Sequence, residues 1–277
     1  MTSSNRLIAL IVALTLCLGC LFSCNNGADN DDSNTPNDTP AVDTNDKTEE
    51  NLQKETYKIS VRVAFASDDE AMRAAIRKLN NPQGTATVIE VDKDNFRITS
   101  EAGVGEYNVS KTYTLVDGRL YHHSVIKSES QIASVREVAS LNDADRDYLL
   151  VTRGEGAGID ISDFAVISFN KIQDGRSYEC SNINEKSARS LEQLFEAGFN
   201  AAEATIRLDS ATYKLEIVKE RNASSILSCN FVVTMNENDY TITMRMYYTY
   251  DYDAQISISA PTDADKYVEI PYTDIAK

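Results

Sequence analysis

The chain has 277 residues, 42% of them hydrophobic and 25% charged, a length that accommodates one large domain or two small ones. Its net charge of −16 excludes nucleic acid as a partner, because phosphate binding needs clustered Lys and Arg, and it opposes electrostatic adsorption to anionic lipid. Trp is absent, Tyr occurs 14 times, and three of the five cysteines lie at the N-terminus, which excludes a dense disulfide framework.

Residues 1–6 are polar with one cation, Arg6, and residues 7–19 form an apolar run of about signal-peptide length. Leu21-Phe22-Ser23-Cys24 follows. It resembles the bacterial lipobox, in which an aliphatic and a small residue precede an invariant cysteine; Cys20, after Cys17-Leu18-Gly19, fits less well. The resemblance implies a signal peptide over residues 1–23, lipidation of Cys24, and anchoring on the extracytoplasmic side of a bacterial membrane. The alternative is an uncleaved span over residues 7–23, at the short end of the ~17–25 residues a helix needs. Residues 24–55 carry nine acids, two lysines and almost no large apolar side chain, so they form a disordered acidic tether. Asp29-Asn30-Asp31-Asp32 does not open an EF-hand, since the Gly and Glu positions of such a loop hold Asn34 and Pro40.

Residues 56–277 form a single domain, opening with the alternation of Tyr57, Ile59, Val61, Val63 and Phe65, a strand with one apolar face. Ser67 and Glu70 make a capping box that starts a helix, with Met72, Ala75, Ile76 and Leu79 on one stripe. A meander follows over residues 85–92, Phe96 to Ile98, 107–116 and 119–128. Asp117-Gly118 sets the last register, with Leu115 opposite Leu120, Tyr113 opposite His122 and Val109 opposite Ile126. His122 and His123 are adjacent on a strand and point to opposite faces, so they cannot chelate one metal; the expected role is packing, and no metal or cofactor is expected. Residues 142–152 read as a helix capped by Asn142 or Asp143. A hairpin over 163–172 and 176–181, turning at Asp174-Gly175, places Phe169 opposite Cys180.

Residues 185–203 form the best amphipathic helix, with Leu191, Leu194, Phe195, Phe199 and Ala202 inward and Glu192, Gln193, Glu196 and Asn200 outward. The final strands read as 211–218, 225–235, 239–250 and 254–259, with turns at 220–224 and 236–239. Tyr240 to Tyr250 alternates most clearly, with Ile242, Met244, Met246 and Tyr248 on one face and Thr241, Thr243, Arg245, Tyr247 and Thr249 on the other. Cys180 and Cys229 either form one disulfide or stand as two buried thiols.

This order of strand, helix, antiparallel meander and late inserted helix, closed by Ala260-Pro261-Thr262-Asp263-Ala264-Asp265-Lys266-Tyr267-Val268-Glu269-Ile270-Pro271, resembles the LolA-like and LppX-like lipoproteins, over about residues 56–271. The nearest flavour looks like the small uncharacterised lipoproteins of Gram-positive bacteria. The resemblance implies an α+β fold: a long curved antiparallel sheet forming an unclosed half-barrel, with helices covering the concave face. It also implies a hollow that binds or carries a lipid or other apolar small molecule. Ile242, Met244, Met246, Tyr248, Phe231, Val233, Leu194, Phe195 and Phe199 would line it. Met suits such an adaptable surface. The alternative function is an envelope interaction or regulatory protein that binds a partner protein with no ligand cavity. No Gly-x-Ser-x-Gly, His-Glu-x-x-His or Cys-x-x-Cys occurs, and the expectation is a non-enzyme with no catalytic residues.

Overall fold

The computed structural model describes residues 56–70, 72–73, 85–104, 107–152, 161–199, 204–235 and 237–275. The signal peptide, Cys24 and the tether lie outside the described residues. Twelve strands form one sheet: β1 (Thr56–Ser67), β2 (Thr85–Asp92), β3 (Asn95–Val104), β4 (Tyr107–Val116), β5 (Arg119–Lys127), β6 (Ile132–Ser140), β7 (Ala165–Ile172), β8 (Gly175–Ser181), β9 (Thr205–Val218), β10 (Arg221–Met235), β11 (Asn238–Asp251) and β12 (Val268–Glu269). Among the described residues, α-helices with both ends defined are α1 (Asp143–Thr152), α2 (Glu185–Phe199) and the short α3 (Tyr272–Ile275); a further helix starts after β1.

The strand order is β12-β6-β5-β4-β3-β2-β1-β11-β10-β9-β8-β7, so the sheet is long and not closed. Every neighbouring pair is antiparallel except β12 with β6. Strand β1 is the seam. On one side β2 to β6 meander away from it; on the other, β11 back to β7 does the same. Tyr57, Ile59, Val61, Val63 and Phe65 of β1 are all buried, and Ile59 faces Ile89 on one side and Tyr250 on the other. Along β1 to β4 and β8 to β11 alternate side chains enter one core, which runs from Ala139 on β6 to Cys180 on β8, while β7 and β12 contribute none. A smaller cluster on the opposite face joins Val116, Tyr121 and Val138 to Ala264 and Tyr267 of the C-terminal segment.

The hairpins show which turn chemistry fixes the register. Asp117 and Gly118 both have positive φ, and Leu115–Leu120, Tyr113–His122 and Val109–Ile126 pair as the Asp-Gly signal dictates. The β7–β8 hairpin differs from expectation. Ile172 pairs with Gly175, the turn is Gln173-Asp174, and Phe169 faces Tyr178 while Cys180 faces Val166 across a bulge. The cause is Gly175 itself. An added Cβ there would lie 2.0 Å from the Ile217 carbonyl oxygen, so the glycine serves close strand approach, and Asp174 takes the positive φ of 58°. At β9–β10 the turn is Lys219-Glu220, both at positive φ, and β10 resumes at Arg221, earlier than its sequence indicates. Residues 254–259 are not a strand; the chain leaves the sheet after Asp251 and returns only as β12. Strand β6, which lacks clean alternation, was not expected.

The caps follow side-chain chemistry. Asp69, and not Ser67, caps the helix after β1: its Oδ1 accepts from the Met72 N–H at 2.8 Å, while the Ser67 hydroxyl donates to the Thr241 carbonyl at 2.6 Å. Asn142 caps α1, its Oδ1 accepting from the Asp145 N–H at 2.8 Å. Asn184 caps α2 through the Ser187 N–H at 2.8 Å. Glu192 does not face outward. Its Oε1 accepts at 2.7 Å from the N–H of Leu208, beside the β9 bulge, and so fastens α2 to the sheet.

Candidate functional site

The expected ligand wall is brought together by register. Phe231 faces Ile242, Val233 faces Tyr240, and Met244 and Met246 face Phe65 and Val63 of β1. Helix α2 lies over this part of the sheet, where Phe195 stacks on Phe231 with ring centroids 4.0 Å apart and planes at 15°. Phe231 and Val233 are 0% exposed, Met244 1%, Ile242 and Met246 2%, and Tyr248 7%. A void large enough for a lipid would leave its lining open to water-sized contact, so these side chains are committed to packing. Leu194 and Phe199 belong to α2, but their side chains lie outside the described residues.

The two free cysteines do not bridge. Cys180 is on β8 and Cys229 on β10, with β9 between them and a register offset of two residues, a separation of at least about 9–10 Å that exceeds the ~7 Å reach of a disulfide. Burial pushes the Cys229 thiol up to about 12 and raises Cys180 as well, so neither is a thiolate nucleophile.

The histidines sit on opposite faces in unlike settings. His123, on the outer face, hydrogen-bonds the Ser134 hydroxyl at 3.0 Å and meets the edge of Tyr267. Burial lowers its pKa first, then the Arg136 charge; Asp263 opposes, and His122 adds a further lowering. His122 lies on the core face. Its ring stacks on Tyr113 at 4.6 Å and 11°, and its Nδ1 meets Glu137 Oε2 at 2.9 Å. A carboxylate only accepts, so Nδ1 carries a proton directed at Glu137. That Nε2 is buried and has no hydrogen-bond partner among the described residues. Leaving such an atom unsatisfied costs about 1–3 kcal/mol.

One step along the same face runs a polar row, Thr87–Ser100–Lys111–Ser124, set by the β2 to β5 registers, with the Thr87 and Ser100 hydroxyls 2.9 Å apart. Beyond it the core face comes to the surface: Ile126 is 44% exposed and Val135 48%. The β5 side of this group was legible from the Asp-Gly turn. Glu137 was missed because β6 was not read as a strand, although the β5–β6 register would have placed it opposite His122. A second apolar surface lies on edge strand β7, where Ile167 is 62% and Phe169 49% exposed. Among the described residues, no three His, Cys, Asp or Glu side chains gather as metal ligands, and no helix is long and apolar enough to cross a membrane.

No protein-family model matches the chain, and no curated protein matches it. The solved structures it is similar to include the YwiB protein from Bacillus subtilis, at 9% identity over 71% of this chain and 92% of that chain, with a TM-score of 0.22. Another is an AttH candidate from Nitrosomonas europaea, at 8% identity over 73% of this chain and 52% of that chain, with a TM-score of 0.15. These likenesses identify no family for the chain.

Proposed function

We propose that the chain is an extracytoplasmic lipoprotein, anchored to a bacterial membrane through Cys24, whose sheet curls into an unclosed half-barrel and holds a lipid or other apolar small molecule. The observation that carries this reading is the surfacing of the core face at Ile126 and Val135, next to an otherwise buried apolar interior. In this reading α2, whose Phe195 stacks on Phe231 of β10 and whose Glu192 bonds Leu208 of β9, closes that wing, and the ligand sits toward β4, β5 and β6. Loss of the anchor by Cys24→Ala is expected to move the protein from the membrane fraction to the soluble fraction; continued membrane retention would instead support an uncleaved helix over residues 7–23.

The ligand reading is tested by native mass spectrometry of the Cys24→Ala chain expressed in bacteria. Lipid-sized adducts are expected, and Val135→Glu, which puts a charge on the open apolar surface, should remove them. Bare protein across several preparations would sink the reading. A second reading, an envelope protein that binds a partner protein, is favoured by the exposed apolar edge of β7, since an open strand is a template for pairing. A co-purifying polypeptide lost on Phe169→Lys would select it.

A further inference from the structure

We propose that the outer edge of β7 is a docking strand for an acidic, extended segment of another protein, one that carries an apolar residue two positions from a carboxylate. This rests on the partner-binding reading above and names the chemistry of that partner. Strand β7 closes one end of the sheet and pairs only with β8, so its other edge offers unpaired N–H and C=O groups. The bulge between Val166 and Ser168 breaks the ladder early in the strand, and regular pairing runs from Ser168 to Ile172. That stretch is a template for strand addition. Phe169 lies beside Tyr178, with ring centroids 5.3 Å apart, yet Tyr178 is buried and Phe169 is 49% exposed.

Charge decides the partner. Lys171 stands directly opposite Arg176, on the same face as Phe169, and both are exposed. Like charges directly opposite on two strands repel. Among the described residues neither cation has an ion pair, although the chain carries 43 acids and Arg97, Arg136 and Lys214 of the same sheet each have one. Glu179 of β8 points to the other face, where it meets Lys214 and Ser168. A lysine alone would serve as protection of an open edge. Arg176 is not on an edge, since Ile217 of β9 flanks it, and a second cation there does nothing to blunt β7. A second copy of the chain is a poor occupant: its β7 brings another Lys171, on a body of net charge −16. An acidic strand fits. Side chains two apart share a face, so an apolar residue set against Phe169 puts the residue two places along against Lys171, where a carboxylate answers both cations.

The chain contains no Trp, so a Trp in a peptide gives the only indole signal in the mixture. The test titrates the full chain carrying Cys24→Ala into the capped peptide Thr-Thr-Trp-Thr-Glu-Thr at low salt and follows Trp fluorescence. This peptide is expected to bind about tenfold more tightly than Thr-Thr-Trp-Thr-Lys-Thr, or than Thr-Thr-Trp-Glu-Thr-Thr, whose acid is on the opposite face. The difference should shrink as salt rises. With Lys171→Glu and Arg176→Glu together, the preference for Glu over Lys should invert. Equal binding of the Glu and Lys peptides, or a preference that survives the double variant, overturns the acidic partner. Equal binding of the two Glu peptides overturns the strand geometry. If no peptide binds, the docking strand is overturned; a polypeptide that still co-purifies and is lost on Phe169→Lys then leaves the partner-binding reading standing, and its absence removes that reading as well. Dimers in sedimentation that disappear on Phe169→Lys would give the edge to a second copy and overturn the acidic segment. The comparison of peptides on the unmutated edge decides the matter even if the double variant does not fold.

Discussion

Phe231→Ala is expected to destabilise the protein by about 3–5 kcal/mol, the range for removing a fully buried aromatic side chain. For a domain of this size that lowers Tm by roughly 6–20 °C. The ring is 0% exposed, it pairs across to Ile242, and it stacks on Phe195 of α2. Its loss opens a cavity and also undoes the contact that seats the helix. Part of the effect belongs to the ring pair, worth about 0.5–1.5 kcal/mol in a double-mutant cycle with Phe195→Ala. Urea denaturation of the four proteins measures both quantities. A loss under about 1 kcal/mol would mean that Phe231 faces open space, and the ligand would then belong under α2 and not at β4–β6.

Gly175→Ala should be as damaging for a different reason. The new Cβ would stand 2.0 Å from the Ile217 carbonyl oxygen and 3.0 Å from two further backbone atoms of β9. Backbone in a paired strand cannot rotate aside as a side chain can, so β8 must part from β9. The expected cost exceeds the roughly 1–3 kcal/mol of ordinary overpacking. Gly118→Ala is the control. Its Cβ would meet nothing within 4 Å, and the only penalty is the positive φ of 72°, about 1–2 kcal/mol. Equal denaturation midpoints for the two variants would show that the β8–β9 contact yields easily. The outcome also bears on β7, which reaches the rest of the sheet only through β8.

The role of Gly175 shows where local reasoning gives out. Asp117-Gly118 and Asp174-Gly175 are the same dipeptide, but the first occupies the turn and the second straddles turn and strand. The difference is the neighbour: β9 presses against Gly175, and that contact is not encoded within ten residues of it. Asp69 replaces Ser67 as the helix cap for a similar reason, because Ser67 is still paired in β1, opposite Ile242 of β11.

Period and punctuation are legible in the residues alone. Alternation in β1, β10 and β11 identified the residues that share a face, because side chains in a strand must point to opposite sides in turn. The Asp117-Gly118 turn fixed three residue pairs, including Tyr113 with His122. The stripe of α2 named Leu191 and Phe195 as buried, and both are. Which parts of that apolar face are covered depends on packing between elements distant in the chain. Ile242 and Ile126 look alike in sequence, yet one is 2% exposed and the other 44%, because α2 lies over one wing of the sheet, while the other wing ends at the stretch of β6 before Glu137 that β12 does not pair with. The pairing of His122 with Glu137 likewise follows from strand order, which brings a residue 15 positions away to within 2.9 Å.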